Sequence, residues 1–310
     1  MPKPSPFHPD LRAARFVPNY TMGPRMTRLM RATPPTGTAP DDVRIEEVVV
    51  PGPAGAPDIR LRVYDPVGRA ASSPALLWIH GGGFLIGSPE QDEASSIRFA
   101  RELGILVVAA RYRLAPEHPS PAGLDDVYAA LAWLLGEAEA RAVDRERIAI
   151  GGASAGGGLA ASLALLAHDR GEFAPAFQLL VYPMLDDRTV LRAGPPPRGH
   201  RMWSTGSNRY AWTSYLGEAP GGPDVSPYAA PARRADLGGL PPAWIGVGML
   251  DLFHDEDVSY AARLGEAGVP VELEVVEGVF HGFDAVFRKS GVARSFWRSQ
   301  AEALRRAFAR

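Results

Sequence analysis

Five stretches of this chain are apolar at nearly every position: residues 75–79, 105–109, 148–150, 178–182 and 243–247. A strand with one wet face alternates apolar and polar residues, so unbroken apolar runs belong in the middle of a parallel sheet covered on both sides. The sequence between them supplies the cover. Helical periodicity runs over 93–103, ended by Gly104, then 123–135, 159–168, 255–267, ended by Gly268, and about 293–310. Strand and helix take turns along the chain, which predicts an α/β doubly wound, mostly parallel sheet of about eight strands with helices on both faces. Two earlier runs, 43–50 and 59–64, do alternate, and the Pro/Gly-rich link between them predicts an antiparallel pair at the sheet edge.

Two segments stand outside this alternation. Residues 1 to about 42 are proline-rich, carry one short helical pattern around 25–30, and include Phe16, Val17, Tyr20 and Met22, which need burial somewhere. Residues from about 187 to about 227 lie between Pro/Gly clusters and hold Met202, Trp203, Tyr210, Trp212 and Tyr215. An insertion that long and that aromatic in a compact domain reads as a functional lid. The expectation is one domain, 1–310, with a cap built from both segments.

Composition narrows the function. The net charge is -2, so nothing draws the chain generally to nucleic acid or an anionic membrane, and a small neutral substrate fits better than a polyanion. The absence of cysteine excludes disulfides, thiolate metal sites and a cysteine nucleophile. No apolar stretch is long enough to cross a membrane and no signal-peptide pattern opens the sequence, so the expected location is cytoplasmic. Self-association into a homodimer stays open.

At residues 147–158 an apolar run stops at glycines and a small-residue helical pattern begins. Gly152-Ala153-Ser154-Ala155-Gly156 matches G-x-S-x-G, the nucleophile elbow, where the serine sits on a strained turn between strand and helix. The flanking glycines have a physical reason: strand and helix pass so closely there that a side chain would collide with the other arm. A competing reading is a loose G-x-G-x-x-A dinucleotide fingerprint at 156–161. That motif belongs at a first βα turn, with an acidic residue about twenty positions on. Here the turn falls mid-chain, and Asp186 and Asp187 come late.

A serine hydroxyl needs a base, an acid to orient that base, and donors for the oxyanion. In α/β-hydrolases the chain order is Ser, Asp or Glu, then His, each after a strand. Asp251 follows the strand ending at Val247, and His281 follows the strand 271–276. The other histidines fit less well: His8, His168 and His200 lie in the outer segments or at a helix end, His118 sits in a loop before the elbow, and His254 enters the next helix. Asp255 and Asp257 read as first-turn residues favoured by the helix dipole, and Asp284 follows the histidine too closely to orient it. For the oxyanion, Ala155 supplies the N–H after the nucleophile, and His80-Gly81-Gly82-Gly83-Phe84, directly after a buried strand, matches the H-G-G-G motif whose bare glycines let N–H groups converge.

His80 to Phe84, Tyr112-Arg113-Leu114-Ala115-Pro116-Glu117-His118, the elbow, Asp251-Leu252-Phe253-His254-Asp255-Glu256 and His281-Gly282-Phe283 together resemble the bacterial hormone-sensitive-lipase-like carboxylesterases of the α/β-hydrolase superfamily. The resemblance spans about 76–283. It implies a Ser154–His281–Asp251 triad, an oxyanion hole from Gly82, Gly83 and Ala155, a helical cap, no metal or cofactor, and hydrolysis of short- to medium-chain acyl esters through an acyl-enzyme. An amidase or lactonase with the same triad, or a non-catalytic receptor on the same fold, are the alternatives. Two positions depart from the family pattern: Ala153, where Asp or Thr is usual, and Ser120, where a bulky apolar residue is common. Arg113 and Glu117 are expected to hold the loop beneath the H-G-G-G turn without taking part in chemistry.

Overall fold

The computed structural model describes residues 5–32, 40–53 and 55–309; the rest of the expected cap segment, 1–4 and 33–39, lies outside them. Eight strands form one sheet: β1 (Val43–Val50), β2 (Ile59–Pro66), β3 (Ser73–Ile79), β4 (Leu106–Arg111), β5 (Val143–Ala153), β6 (Phe177–Val181), β7 (Ala243–Gly248) and β8 (Val271–Val276). Their order is β1-β2-β4-β3-β5-β6-β7-β8. Strand β2 runs antiparallel to both neighbours, and every pair from β4 to β8 is parallel.

Helices α1 (Pro24–Arg31), α2 (Glu93–Leu103), α3 (Ala122–Gly136), α4 (Ala155–Arg170), α5 (Thr205–Leu216), α6 (His254–Glu266), the short α7 (Phe283–Val286) and α8 (Gly291–Phe308) complete the chain. The central runs are apolar throughout because their alternate residues feed two cores. Leu77, Ile79, Val108, Ile150, Leu180 and Ile245 pack in one layer with α3, α4 and α6. Their neighbours Leu76, Trp78, Val107, Ala149, Leu179 and Trp244 pack in the other with α2 and α8. Strand β5 is longer than its apolar run predicts, because Ser73 pairs with Val143 ahead of a register shift, in a stretch of polar residues that gives no apolar signal.

The middle insertion contributes α5, which the sequence marks only as aromatic-rich. Ser204 caps it by accepting from Ser207 N–H, and Gly217 ends it at φ 74°. Its buried side chains are Ser207, Asn208, Ala211, Trp212, Ser214 and Tyr215, a face too polar to read as a core helix. The N-terminal segment lies against it. Met22 N–H donates to Ser207 Oγ (2.8 Å), Thr21 and Ser204 share a hydroxyl hydrogen bond (3.2 Å), and Asn19 donates to His200 O (3.3 Å). Among the described residues no helix is long and apolar enough to cross a membrane.

Candidate active site

Ser154 stands between the end of β5 and the start of α4 at φ 57°, ψ −120°, a conformation that costs of order 1–3 kcal/mol and survives only where the surroundings over-determine it. They do so here. Ser154 N–H donates to Val181 O (2.9 Å), and Ser154 O accepts from Gly158 (3.0 Å) and Met184 (2.9 Å). The turn is as tight as the motif requires: a Cβ on Gly156 would sit 2.0 Å from Ile79 O, and one on Gly152 2.5 Å from Gly156 O. The crowding therefore comes from the adjacent strand β3 as well as from the two arms of the elbow.

The loops after β7 and β8 are stitched together by their backbones. Met249 N–H donates to Val276 O (2.9 Å) and Leu250 N–H to Val279 O (3.0 Å), which brings Asp251 beside His281 although 30 residues separate them. His281 Nδ1 lies 2.8 Å from Asp251 Oδ2, and His281 Nε2 lies 2.9 Å from Ser154 Oγ. Asp251 Oδ1 accepts from Phe253 N–H at 3.0 Å. Asp251 is 1% exposed, Ser154 6% and His281 8%. Since a carboxylate only accepts, Nδ1 carries the proton and the lone pair of Nε2 faces the hydroxyl.

Sequence reasoning missed the aromatic housing of the imidazole. Tyr182 (ring centroids 4.9 Å) and Phe253 (5.1 Å) meet it edge-on, and Trp203 lies 6.3 Å away. Tyr182 donates its hydroxyl to Asp284 Oδ1 at 2.8 Å, so Asp284 braces the imidazole's neighbour rather than the imidazole. Burial raises the Tyr182 hydroxyl and the Asp284 carboxyl above their ordinary values. The only hint in sequence was position, an aromatic directly after a buried strand.

The loop after β3 lies alongside the elbow: a Cβ on Gly81 would be 3.4 Å from Ser154 Cβ. Gly82, Gly83 and Phe84 all have positive φ, at 121°, 61° and 62°. Gly82 O accepts from Leu85 and Ile86, while among the described residues the N–H groups of Gly82, Gly83 and Ala155 have no acceptor. His80 anchors the loop. Its Nδ1 donates to Gly81 O (2.8 Å), and its ring stacks on Tyr112 at 4.3 Å. Burial pulls the imidazole down to about 4, so it is neutral at ordinary pH.

Two expectations need correction. The hydroxyl beneath the loop belongs to Tyr112, which donates to His80 O (3.0 Å). Arg113 instead forks onto Asp126 of α3, and Glu117 pairs with Arg31 of α1. Asp257 does lie in the first turn of α6, where it is fully buried, neither oxygen has a partner among the described residues, and burial pushes its carboxyl well up. Asp255 does stay at the surface, beside His254 and Arg192. Of the remaining histidines, His8 accepts from Asp10 N–H and His200 is bonded to Pro197 O. Among the described residues no group of three His, Asp or Glu side chains is gathered to hold a metal ion.

Comparison with known proteins agrees with this architecture. The family model described as alpha/beta hydrolase fold matches residues 76–285. The chain is 34% identical to the carboxylic ester hydrolase LipN of Mycobacterium tuberculosis, over 85% of this chain and 70% of that one. It is 37% identical to the carboxylesterase NlhH of the same species, over 83% and 80%. A solved bacterial heroin esterase superposes with a TM-score of 0.90 at 39% identity, covering 98% of each chain. The chain belongs to the hormone-sensitive-lipase-like family of the α/β-hydrolase superfamily.

Proposed function

We propose that this carboxylic ester hydrolase works by a Ser154–His281–Asp251 triad on short- to medium-chain acyl esters. The observation that supports it is the hydrogen-bonded line Asp251–His281–Ser154, with the proton on Nδ1 and the lone pair of Nε2 toward the hydroxyl. As Ser154 Oγ attacks the ester carbonyl, its proton passes to Nε2. Asp251 holds the ring and balances the imidazolium that forms. The oxyanion falls to the N–H groups of Gly82, Gly83 and Ala155, which removes about 3 kcal/mol from the barrier per donor. The imidazolium then protonates the leaving alkoxide, and water, activated in the same way, releases the acid from Ser154.

The segments 5–32 and 187–227 act in this reading as the cap that keeps water and substrate in order. LipN and NlhH are named as ester hydrolases, and a related Pseudomonas putida protein, 33% identical, is named an ethyl acetate hydrolase, which favours small esters. The test is turnover of p-nitrophenyl esters from acetate to palmitate by the protein and by Ser154→Ala. The expected result is an optimum at short to medium chains and a loss of about 10⁴ to 10⁶ in kcat in the variant. A variant that keeps most of its activity would refute the assignment.

A further inference from the structure

Of the aromatic residues in the middle insertion, one lies against the reaction centre. Trp203 is buried, and its indole covers Gly83 so closely that a Cβ on that glycine would be 2.2 Å from Cη2. Its ring centroid is 6.3 Å from that of His281. Trp212 and Tyr215, by contrast, pack on Phe84 at 5.6 and 3.9 Å, a side chain that reaches toward Gly158 of α4. They support the loop from behind.

The position of the indole is enforced. Trp203 N–H donates to Arg201 O (2.8 Å) across Met202, which is held at φ 68°. A three-residue turn about a positive-φ residue with a side chain is a strained γ-turn, the kind that persists where neighbours over-determine it. At the other end, indole Nε1 donates to Oδ1 of Asn208 (3.2 Å), a side chain with no exposure. The indole nitrogen can only donate, so the amide orientation follows from chemistry.

We propose that Trp203 is the specificity-determining residue for the alcohol half of the ester, with Asn208 as its positioning residue. This rests on the triad reading above. In that reading the carbonyl oxygen sits at the Gly82 and Gly83 N–H groups, and the leaving oxygen must come within hydrogen-bond reach of His281 Nε2. A wall that touches Gly83 and borders His281 therefore flanks the leaving alcohol, and the acyl chain departs elsewhere. Beside Asp251, a cavity of about 580 Å³ is lined by Met249 and Leu252 together with Thr205 and Gly206, which follow Trp203 by two and three residues.

The experiment measures kcat/KM for two ester panels: acetates of ethanol, butanol, benzyl alcohol and 2-naphthol, and ethyl esters from acetate to octanoate. Relative to the unmodified protein, Trp203→Ala should raise the 2-naphthyl to ethyl acetate ratio about tenfold or more, the scale of one or a few methylene groups in a pocket, and leave the ranking of acyl chains unchanged. Asn208→Ala should move the same ratio the same way by less, and Trp203→Phe should stay nearer the parent. A thermal melt on each variant separates loss of fold from changed selectivity. Should Trp203→Ala not fold, Asn208→Ala and Trp203→Phe carry the test. An unchanged alcohol ratio in folded variants, or a change confined to the acyl panel, would overturn the proposal. Ser154→Ala is measured in parallel. If it remains active the triad reading fails; if it is inactive while the alcohol ratio stays flat, the inference about Trp203 fails alone.

Discussion

The floor and the roof of the site are built by different means. Ser154, Asp251 and His281 stand at the ends of β5, β7 and β8, fixed by main-chain hydrogen bonds such as Ser154 N to Val181 O (2.9 Å) and Leu250 N to Val279 O (3.0 Å). The roof, α1 and α5 with their flanking segments, is tied on largely by side chains. Arg31 alone reaches Leu85 O (2.7 Å), Ala115 O (2.6 Å) and the Glu117 carboxylate. A backbone ladder holds its members collectively, whereas a roof tied by individual side chains can change one residue at a time. The proposed division, chemistry on the floor and selectivity in the roof, matches that difference.

Substitutions in the floor should therefore be the more destructive. Gly156→Ala drives a Cβ to 2.0 Å from Ile79 O, a methyl group against a main-chain carbonyl. A loss of more than about 4 kcal/mol is expected, read as failure to accumulate soluble protein or a collapsed urea midpoint. A variant of near-parent stability would show that the elbow can relax.

Next in size is a pH effect in the glycine loop after β3. His80 is held near 4 in the fold, while an imidazole in the unfolded chain binds its proton from about 6.5 downward. In that window the unfolded state binds more protons, so stability falls as pH falls from 6.5 through 4, by roughly 3 kcal/mol in full. Urea unfolding at pH 7 and pH 4.5 should show a smaller difference between the two for His80→Gln than for the parent. An equal difference would mean that the imidazole is not the group responsible.

Where floor meets roof, Glu256 of α6 accepts from Leu185 N–H (2.8 Å) and Asp186 N–H (3.1 Å) and is bonded to Thr189. Burial outweighs these bonds and raises its carboxyl to about 8. The fold then keeps a proton that the unfolded chain gives up near 4.5, so this group's contribution declines as pH rises from 4.5 through 8. Glu256→Gln keeps the acceptor and should cost less than about 1 kcal/mol at pH 6, with the gap narrowing at higher pH. Glu256→Ala strands two N–H groups and should cost about 2–3 kcal/mol. Equal losses in the two variants would contradict this account.

Smallest is Arg31→Ala in the roof. Its ion pair with Glu117 is largely exposed and contributes little, so the expected loss is about 1 kcal/mol, carried by the two carbonyl contacts. Thermal melting should show a shift of a few degrees at most, with the acyl-chain ranking unchanged.

The floor was legible in the sequence because each part is a local pattern. Apolar runs mark the strands, G-x-S-x-G marks the elbow, and chain order places Asp251 and His281 after the right strands. The roof was not. That Trp203 borders His281 depends on the positive-φ turn at Met202 ahead of α5, and that Trp212 backs Phe84 depends on which face of α5 turns inward, a face that carries Ser207 and Asn208 as well as aromatics. The burial of Asp257 is hidden for a related reason: its first-turn position is legible, but which side of α6 faces inward is not.

The most direct measurement is stoichiometric labelling with a p-nitrophenyl phosphonate, followed by peptide mass spectrometry. Attack by Ser154 at phosphorus expels p-nitrophenolate and leaves a phosphonyl group on its Oγ. The account predicts one adduct per chain, on Ser154, forming in step with loss of esterase activity and far more slowly in His281→Ala. Inactivation with the adduct on another residue, or an unlabelled Ser154 in fully inactivated protein, would contradict it.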